Sequence, residues 1–281
     1  MPELPEVETM RRGVRKITGA TIERAIRTPC KKKPLVITPR IDSLNRKTMG
    51  RKIRSVDRLG KRVVLRLDTD DRIIFEPRMT GIVLIGEPPN QEHLRFELQL
   101  KHKHVERLLF WDRRGLGRIT LLTADQYDAK INDGSLGPDA IEISSEELRS
   151  RGKPSKREIK VALLDQKLVA GVGNLYASEI LHLAGIHPQT RCHRLTSKQW
   201  NLIHENMIRV LETAIEYEGS TLSDGTYQKA INDPGGYQNH HRVYDRAGKT
   251  CLTCRKQKIE RIVQAQRSTF YCASCQSRKK S

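Results

Sequence analysis

The chain has no run of roughly eighteen apolar residues, so no membrane-spanning helix is expected among its 281 residues. Its opening segment, MPELPEVETM, is acidic and lacks the apolar core of an export signal, which points to the cytoplasm. Cysteine is too sparse for a disulfide scaffold: there are six, and four of them fall into two CxxC pairs, a pattern that in a reducing compartment holds metal. No internal repeat or low-complexity block is present. Acidic side chains are in short supply, 33 Asp and Glu against 52 Lys and Arg. The formal charge of +19 asks for a polyanionic partner, with nucleic acid first, although a ribosomal or membrane-surface protein would share it.

The length suits two compact domains and a small appendage. Residues Glu6 to Lys16 read as a helix, with Pro5 in its first turn and Val7, Met10, Val14 and Ile17 on one face. From about Thr21 to Leu122 the pattern turns to short β-rich runs: Val63 to Leu67, Ile73 to Phe75, Ile82 to Ile85 and Leu108 to Phe110. The polar stretch from Ile141 to Lys156 reads as a hinge. Beyond it, Thr196 and Gln199 form a capping-box pattern ahead of Trp200, Ile203, Met207, Val210 and Ala214 at helical spacing. The expected fold is α+β and multidomain. It comprises an N-terminal β-sandwich with a leading helix (1–145), a helical DNA-binding domain (146–245) and a C-terminal zinc-ribbon β-hairpin (246–281).

Cys251-x2-Cys254 and Cys272-x2-Cys275 are separated by 17 residues. Two such knuckles complete a tetrahedral zinc site, and four thiolates leave no open position for catalysis, so the zinc is structural. Ile259 to Tyr271 would form the hairpin between them. Cys30 and Cys192 belong to no such pattern. Upstream, a helix through Asp165 should meet the turn Ala170-Gly171-Val172-Gly173, with a second helix starting near Asn174. Glycine lets the backbone approach a phosphate, and the free amides and Asn174 side chain could hold it, with Lys156 and Lys160 nearby.

The first nine residues, LGK (Leu59 to Lys61), RMTG (Arg78 to Gly81), WDRR (Trp111 to Arg114), DQKLVAGVGNLYASEILHLAGIHP, VYDRAGKTC and the ribbon's final CQ together resemble the formamidopyrimidine-DNA glycosylases, in that family's order and over nearly the whole chain. The resemblance implies a helix-two-turn-helix domain and a bifunctional glycosylase and lyase acting on oxidised purines in double-stranded DNA as a monomer. Removal of Met1 would expose the secondary amine of Pro2, whose pKa near roughly 8 leaves a reactive fraction at neutral pH. That amine would attack C1′ and form a Schiff base, with Glu3 transferring protons at the sugar. Glu6 and Glu8 read as acidic decoration of a helix start.

By the same resemblance Lys61 assists β-elimination, and Arg267 grips phosphate and aids δ-elimination. Met79, Arg114 and Leu116 would fill the space left by the flipped nucleotide, Arg114 reading the orphaned cytosine. His93 would contact DNA, and the Ser220 to Tyr237 segment would cover the lesion. Three departures stand out: Leu116 replaces the usual Phe, Arg255 replaces the Gly that normally follows the second cysteine, and the ribbon hairpin is one residue longer. Two alternatives stay open on sequence grounds. One is an endonuclease VIII-type enzyme for oxidised pyrimidines, against which Leu4 and Met79 argue. The other is a non-catalytic zinc DNA-binding protein, for which Pro2-Glu3 would have no use.

Overall fold

A computed structural model describes residues 2–31, 34–220 and 235–278. The chain divides into two compact units, Met1–Asp133 with Tyr217–Gly236, and Gly134–Glu216 with Tyr237–Ser281. No described helix is long and apolar enough to cross a membrane.

The first unit begins with helix α1 (Leu4–Val14), whose Pro5 occupies the first turn and whose Val7, Met10 and Val14 are buried. Two sheets follow. One has the order β1 (Thr21–Arg27), β7 (Leu94–Lys101), β8 (Arg107–Asp112), β6 (Gly81–Ile85), antiparallel throughout. The other has the order β2 (Val36–Thr38), β9 (Arg118–Leu122), β5 (Arg72–Glu76), β4 (Arg62–Leu67), β3 (Ile53–Leu59), with β2 parallel to β9. Apolar residues of both sheets, including Phe75, Phe96 and Phe110, merge into one core that also takes in the buried face of α1. This is a sandwich, because each strand has an apolar face to bury and the two sheets bury theirs together. Helix α1 packs on β6 of one sheet and on β3 and β4 of the other.

Within the expected run of strands the structure places a helix, α2 (Ile41–Thr48), which buries only Leu44 and Thr48. One buried apolar anchor, Leu44, is too few for a periodic signal in sequence. Helix α3 (Ala124–Asn132) follows β9 behind a Thr123–Gln126 capping box.

In the second unit, helix α4 (Ser145–Gly152) stands in the middle of the expected hinge. The polar text concealed it: Ser144 Oγ caps it by accepting the Glu147 amide at 3.1 Å, and Leu148 is its one buried large apolar side chain. Gly152 lies under Trp200, where an added β-carbon would sit 2.2 Å from the indole. Helix α5 (Ile159–Leu163) stops short of Asp165, whose Oδ1 accepts the Lys167 amide at 3.0 Å and starts a turn instead. Helix α6 (Asn174–Leu183) begins where expected. Helix α7 (Ser197–Glu216) starts at the Thr196–Gln199 capping box and buries Trp200, Ile203, Met207, Val210 and Ala214. A hairpin of β10 (Glu260–Gln264) and β11 (Arg267–Tyr271) completes the unit.

Candidate active site and nucleic-acid interface

Pro2 and Glu3 lie at the head of α1, where Glu3 is the N-cap. The Glu3 amide donates to Glu6 Oε2 at 2.8 Å, and the Ser220 amide donates to Glu6 Oε1 at 2.9 Å. Gly219, at φ +79°, is needed for this closure: a β-carbon there would lie 2.9 Å from Glu6 Cγ. Glu6 and Glu8 are therefore not decoration, being 3% and 7% exposed. A carboxylate withdrawn from water must be satisfied by specific donors, and each of these is.

Glu8 binds three guanidinium groups, Arg11 at 2.7 Å, Arg12 at 2.8 Å and Arg58 at 3.2 Å. Burial pushes its carboxyl up, but the hydrogen bonds and charges of these arginines outweigh that and hold it below the ordinary glutamate value. Arg58 Nη1 reaches on to the Gly60 carbonyl at 3.1 Å. Gly60, at φ +54°, and Lys61 form the two-residue turn between β3 and β4. The Lys61 turn is thus tied to α1 through Glu8 and Arg58, a link no spacing in the sequence announces.

Met79, Arg114 and Leu116 sit on two neighbouring loops, before β6 and after β8. Met79 is 39% exposed, Arg114 is exposed and Leu116 half-buried. Arg114 Nη1 approaches Met79 Sδ at 3.2 Å. His93 is half-buried edge-on to Trp111, ring centroids 5.5 Å apart, and its buried Nδ1 has no partner among the described residues. The lesion-covering segment expected from Ser220 to Tyr237 falls largely on 221–234, outside the described residues.

In the second unit, Asn174 opens α6 with Gly173 as N-cap and Gly171 at φ +112° before it. The Asn174 Nδ2 donates to the Ser268 carbonyl at 3.0 Å. Lys160, fully buried, donates to Asn174 Oδ1 and to the same carbonyl at 3.2 Å. The helix start and the ribbon hairpin are therefore pinned beside each other, with Arg267 exposed next to the pinned carbonyl. Lys156 lies exposed in the loop before α5. Sequence reasoning missed Gln166, whose side chain binds the Leu164 and Val172 carbonyls and the Gly171 amide, each at 3.0 Å, and so fixes the glycine turn. The DQK motif marked the segment but not this role, since the partners are main-chain groups that no side-chain pattern announces.

The sulfurs of Cys251, Cys254, Cys272 and Cys275 all lie within 4.8 Å of one another. Two of the separations are 3.8 Å, Cys251 to Cys275, and 3.7 Å, Cys254 to Cys272. A zinc tetrahedron with Zn–S near 2.3 Å has an S–S edge of about 3.8 Å, so these two pairs already stand at that spacing and the four-sulfur cluster suits that ion. Burial pushes the Cys272 thiol up, whereas the Gln257 and Lys256 amides draw Cys254 down to about 6. The cation lets all four ionise together. The other two cysteines are the buried Cys192, its thiol pushed up to about 11 by burial, and the half-buried Cys30.

Three family descriptions match the chain: formamidopyrimidine-DNA glycosylase N-terminal domain at residues 1–119, formamidopyrimidine-DNA glycosylase H2TH domain at 136–226, and zinc finger found in FPG and IleRS at 248–278. Formamidopyrimidine-DNA glycosylases of Chloroflexus aurantiacus and Chloroflexus aggregans are 39% and 40% identical to it, each over 98% of both chains. Among solved structures, a Lactococcus lactis enzyme mutant complexed with DNA containing Fapy-dG is 30% identical, with a TM-score of 0.86, over 99% of this chain and all of that one. The Thermus thermophilus MutM protein is 33% identical, with a TM-score of 0.85 and the same coverage. A sandwich headed by Pro2-Glu3, with a helix-two-turn-helix unit pinned to a tetrathiolate ribbon, is the architecture of a base-excision DNA glycosylase. The chain belongs to the formamidopyrimidine-DNA glycosylase family.

Proposed function

We propose that this protein excises oxidised purines from double-stranded DNA and then cuts the strand, as a monomer in the cytoplasm, with Pro2 as nucleophile. The observation that carries this reading is the N-terminus: Pro2 directly precedes an N-cap glutamate whose amide is fixed by the buried Glu6 carboxylate. Freed of Met1, the Pro2 nitrogen forms a bond to C1′ as the bond to the damaged base breaks. The sugar ring opens when O4′ takes a proton, leaving an iminium. Glu3 transfers that proton. Lys61 assists removal of the 2′ proton, which expels the 3′ phosphate, and Arg267 supports the second elimination.

Asn174 and the amides at the start of α6 hold a backbone phosphate, with Lys160 keeping the Asn174 side chain in place. Lys156 and His93 add contacts to the strand, and Met79, Arg114 and Leu116 occupy the emptied stack. Zinc, when bound by the four cysteines, supplies a fixed ribbon that carries Arg267. We read the working parts as 1–145, 146–245 and 246–281, a division supported by the order of the three family matches.

The test is borohydride trapping on a duplex with one 8-oxoguanine opposite cytosine. The protein should become covalently attached, and Pro2→Gly or a blocked N-terminus should abolish attachment while leaving DNA binding nearly intact. Undiminished trapping in such a variant refutes the assignment and turns suspicion to Lys61. Stronger trapping on an oxidised pyrimidine would make the substrate class wrong and leave the chemistry standing.

A further inference from the structure

Asp112, the last residue of β8, is fully buried. Its carboxylate oxygens face inward from the loops that bear Met79, Arg114 and Leu116. Oδ1 accepts from the Thr80 hydroxyl and from the Arg114 amide at 3.2 Å, and Oδ2 accepts from the Gly117 amide at 2.7 Å. The Arg114 amide also donates to Thr80 Oγ1 at 3.0 Å. Each bonded residue is, or adjoins, one of the three side chains: Thr80 follows Met79, and Gly117 follows Leu116.

The surroundings are built for this contact. A β-carbon at Gly117 would lie 2.6 Å from the Phe110 ring and 3.1 Å from Asp112 Oδ2, so glycine alone lets the amide close on the carboxylate. Gly115, at φ +61°, turns the loop between the two bonded amides. On the main-chain side the Arg95 guanidinium, 2% exposed, donates to the carbonyls of Asp112 at 2.7 Å and Arg113 at 3.3 Å.

We infer that Asp112 is a positioning residue for base flipping: one buried carboxylate sets the relative placement of Met79, Arg114 and Leu116 before DNA arrives. The inference rests on the reading of those three as the side chains that fill the vacated stack. An inserted group held in place beforehand loses no conformational freedom at the moment of flipping, whereas a misplacement of about 1 Å can cost roughly a hundredfold in rate. Asp112 touches neither base nor sugar. It acts through the loops.

The experiment compares Asp112→Asn and Thr80→Val with Met79→Ala and Arg114→Ala. Single-turnover excision is measured on a duplex carrying 8-oxoguanine opposite cytosine, and borohydride trapping on the same duplex carrying an abasic site, where no base must leave the stack. Asn keeps the shape of Asp112 and removes one acceptor, leaving a donor facing a donor. Asp112→Asn should slow excision about tenfold, several times more than it slows abasic trapping, and Thr80→Val should do the same more weakly. Both should also lower the preference for cytosine over adenine opposite the lesion, as Arg114→Ala should. Equal slowing on both duplexes, or an unchanged preference, overturns the inference and makes Asp112 a loop staple only. If Met79→Ala and Arg114→Ala change nothing, the void-filling reading is what fails. If they act and both Asp112→Asn and Thr80→Val are silent, the Asp112 inference alone fails. Should Asp112→Asn not fold, Thr80→Val decides by the same criteria.

Discussion

Arg255 occupies the position after Cys254 at φ +55°, the left-handed region that glycine fills freely and other residues avoid. Its amide donates to the Cys251 carbonyl at 2.9 Å and so closes the first zinc knuckle. Holding a side chain in this conformation costs about 1–2 kcal/mol. Arg255→Gly removes that cost and adds about 0.5–1 kcal/mol of unfolded-state entropy, so a net gain of about 0.5–1 kcal/mol remains. Because metal binding and folding of the ribbon are one event, the gain should appear as zinc Kd lowered roughly two- to fivefold. The substitution also removes an exposed cation beside a tetrathiolate zinc of net charge −2, which opposes the gain. Arg255→Ala loses the same cation and keeps the β-carbon, so comparing the two variants isolates the backbone. The assay is competition for zinc against a chromophoric chelator, without DNA. Zinc held no more tightly by Arg255→Gly than by Arg255→Ala would show that the knuckle stores no backbone strain.

Glu8→Gln should cost about 3 kcal/mol by urea unfolding at neutral pH, because the nearly buried Arg58 loses its carboxylate. Since the folded state lowers the Glu8 pKa, its contribution is complete above the ordinary carboxylate range and is lost as pH falls below about 4; a wild-type-to-variant gap that stays constant into acid refutes this. Arg267→Ala should weaken binding to damaged DNA and reduce the salt slope by about one unit with the ribbon intact, since the side chain is exposed. An unchanged slope returns it to a solvated charge. Leu116→Phe should preserve or improve excision of 8-oxoguanine opposite cytosine, base–aromatic stacking being worth about 1–3 kcal/mol. A strong loss of rate would show that Leu116 is set by its Gly115 and Gly117 neighbours and not by the base stack.

How much was legible in advance follows from how local each cause is. Helices α1 and α7 were readable because burial of one face repeats at the helical period, strands β4, β5, β6 and β8 because each is a short, nearly continuous apolar run between charged or glycine breaks, and caps such as Thr196–Gln199 act over three residues. The zinc site was readable because each CxxC builds its own knuckle. The anomaly at Arg255 was visible as a missing glycine, and its positive φ gives the reason. Helices α2 and α4 were not readable, since one or two buried anchors in a polar segment leave no period. Glu6 and Glu8 have local partners as well, the Glu3 amide for one and Arg11 with Arg12 for the other, but their burial, like the placement of Asp112 and Gln166, was decided by tertiary structure. A buried polar side chain is defined by the donors that surround it, and here those come from Ser220, Arg58, Thr80 and from loop amides that close only once the chain has packed. Sequence alone determined which chemical groups the protein carries and the periods that fold them. The tertiary structure determined which of those groups are withdrawn from water, and a charge withdrawn from water must be met by partners at fixed positions.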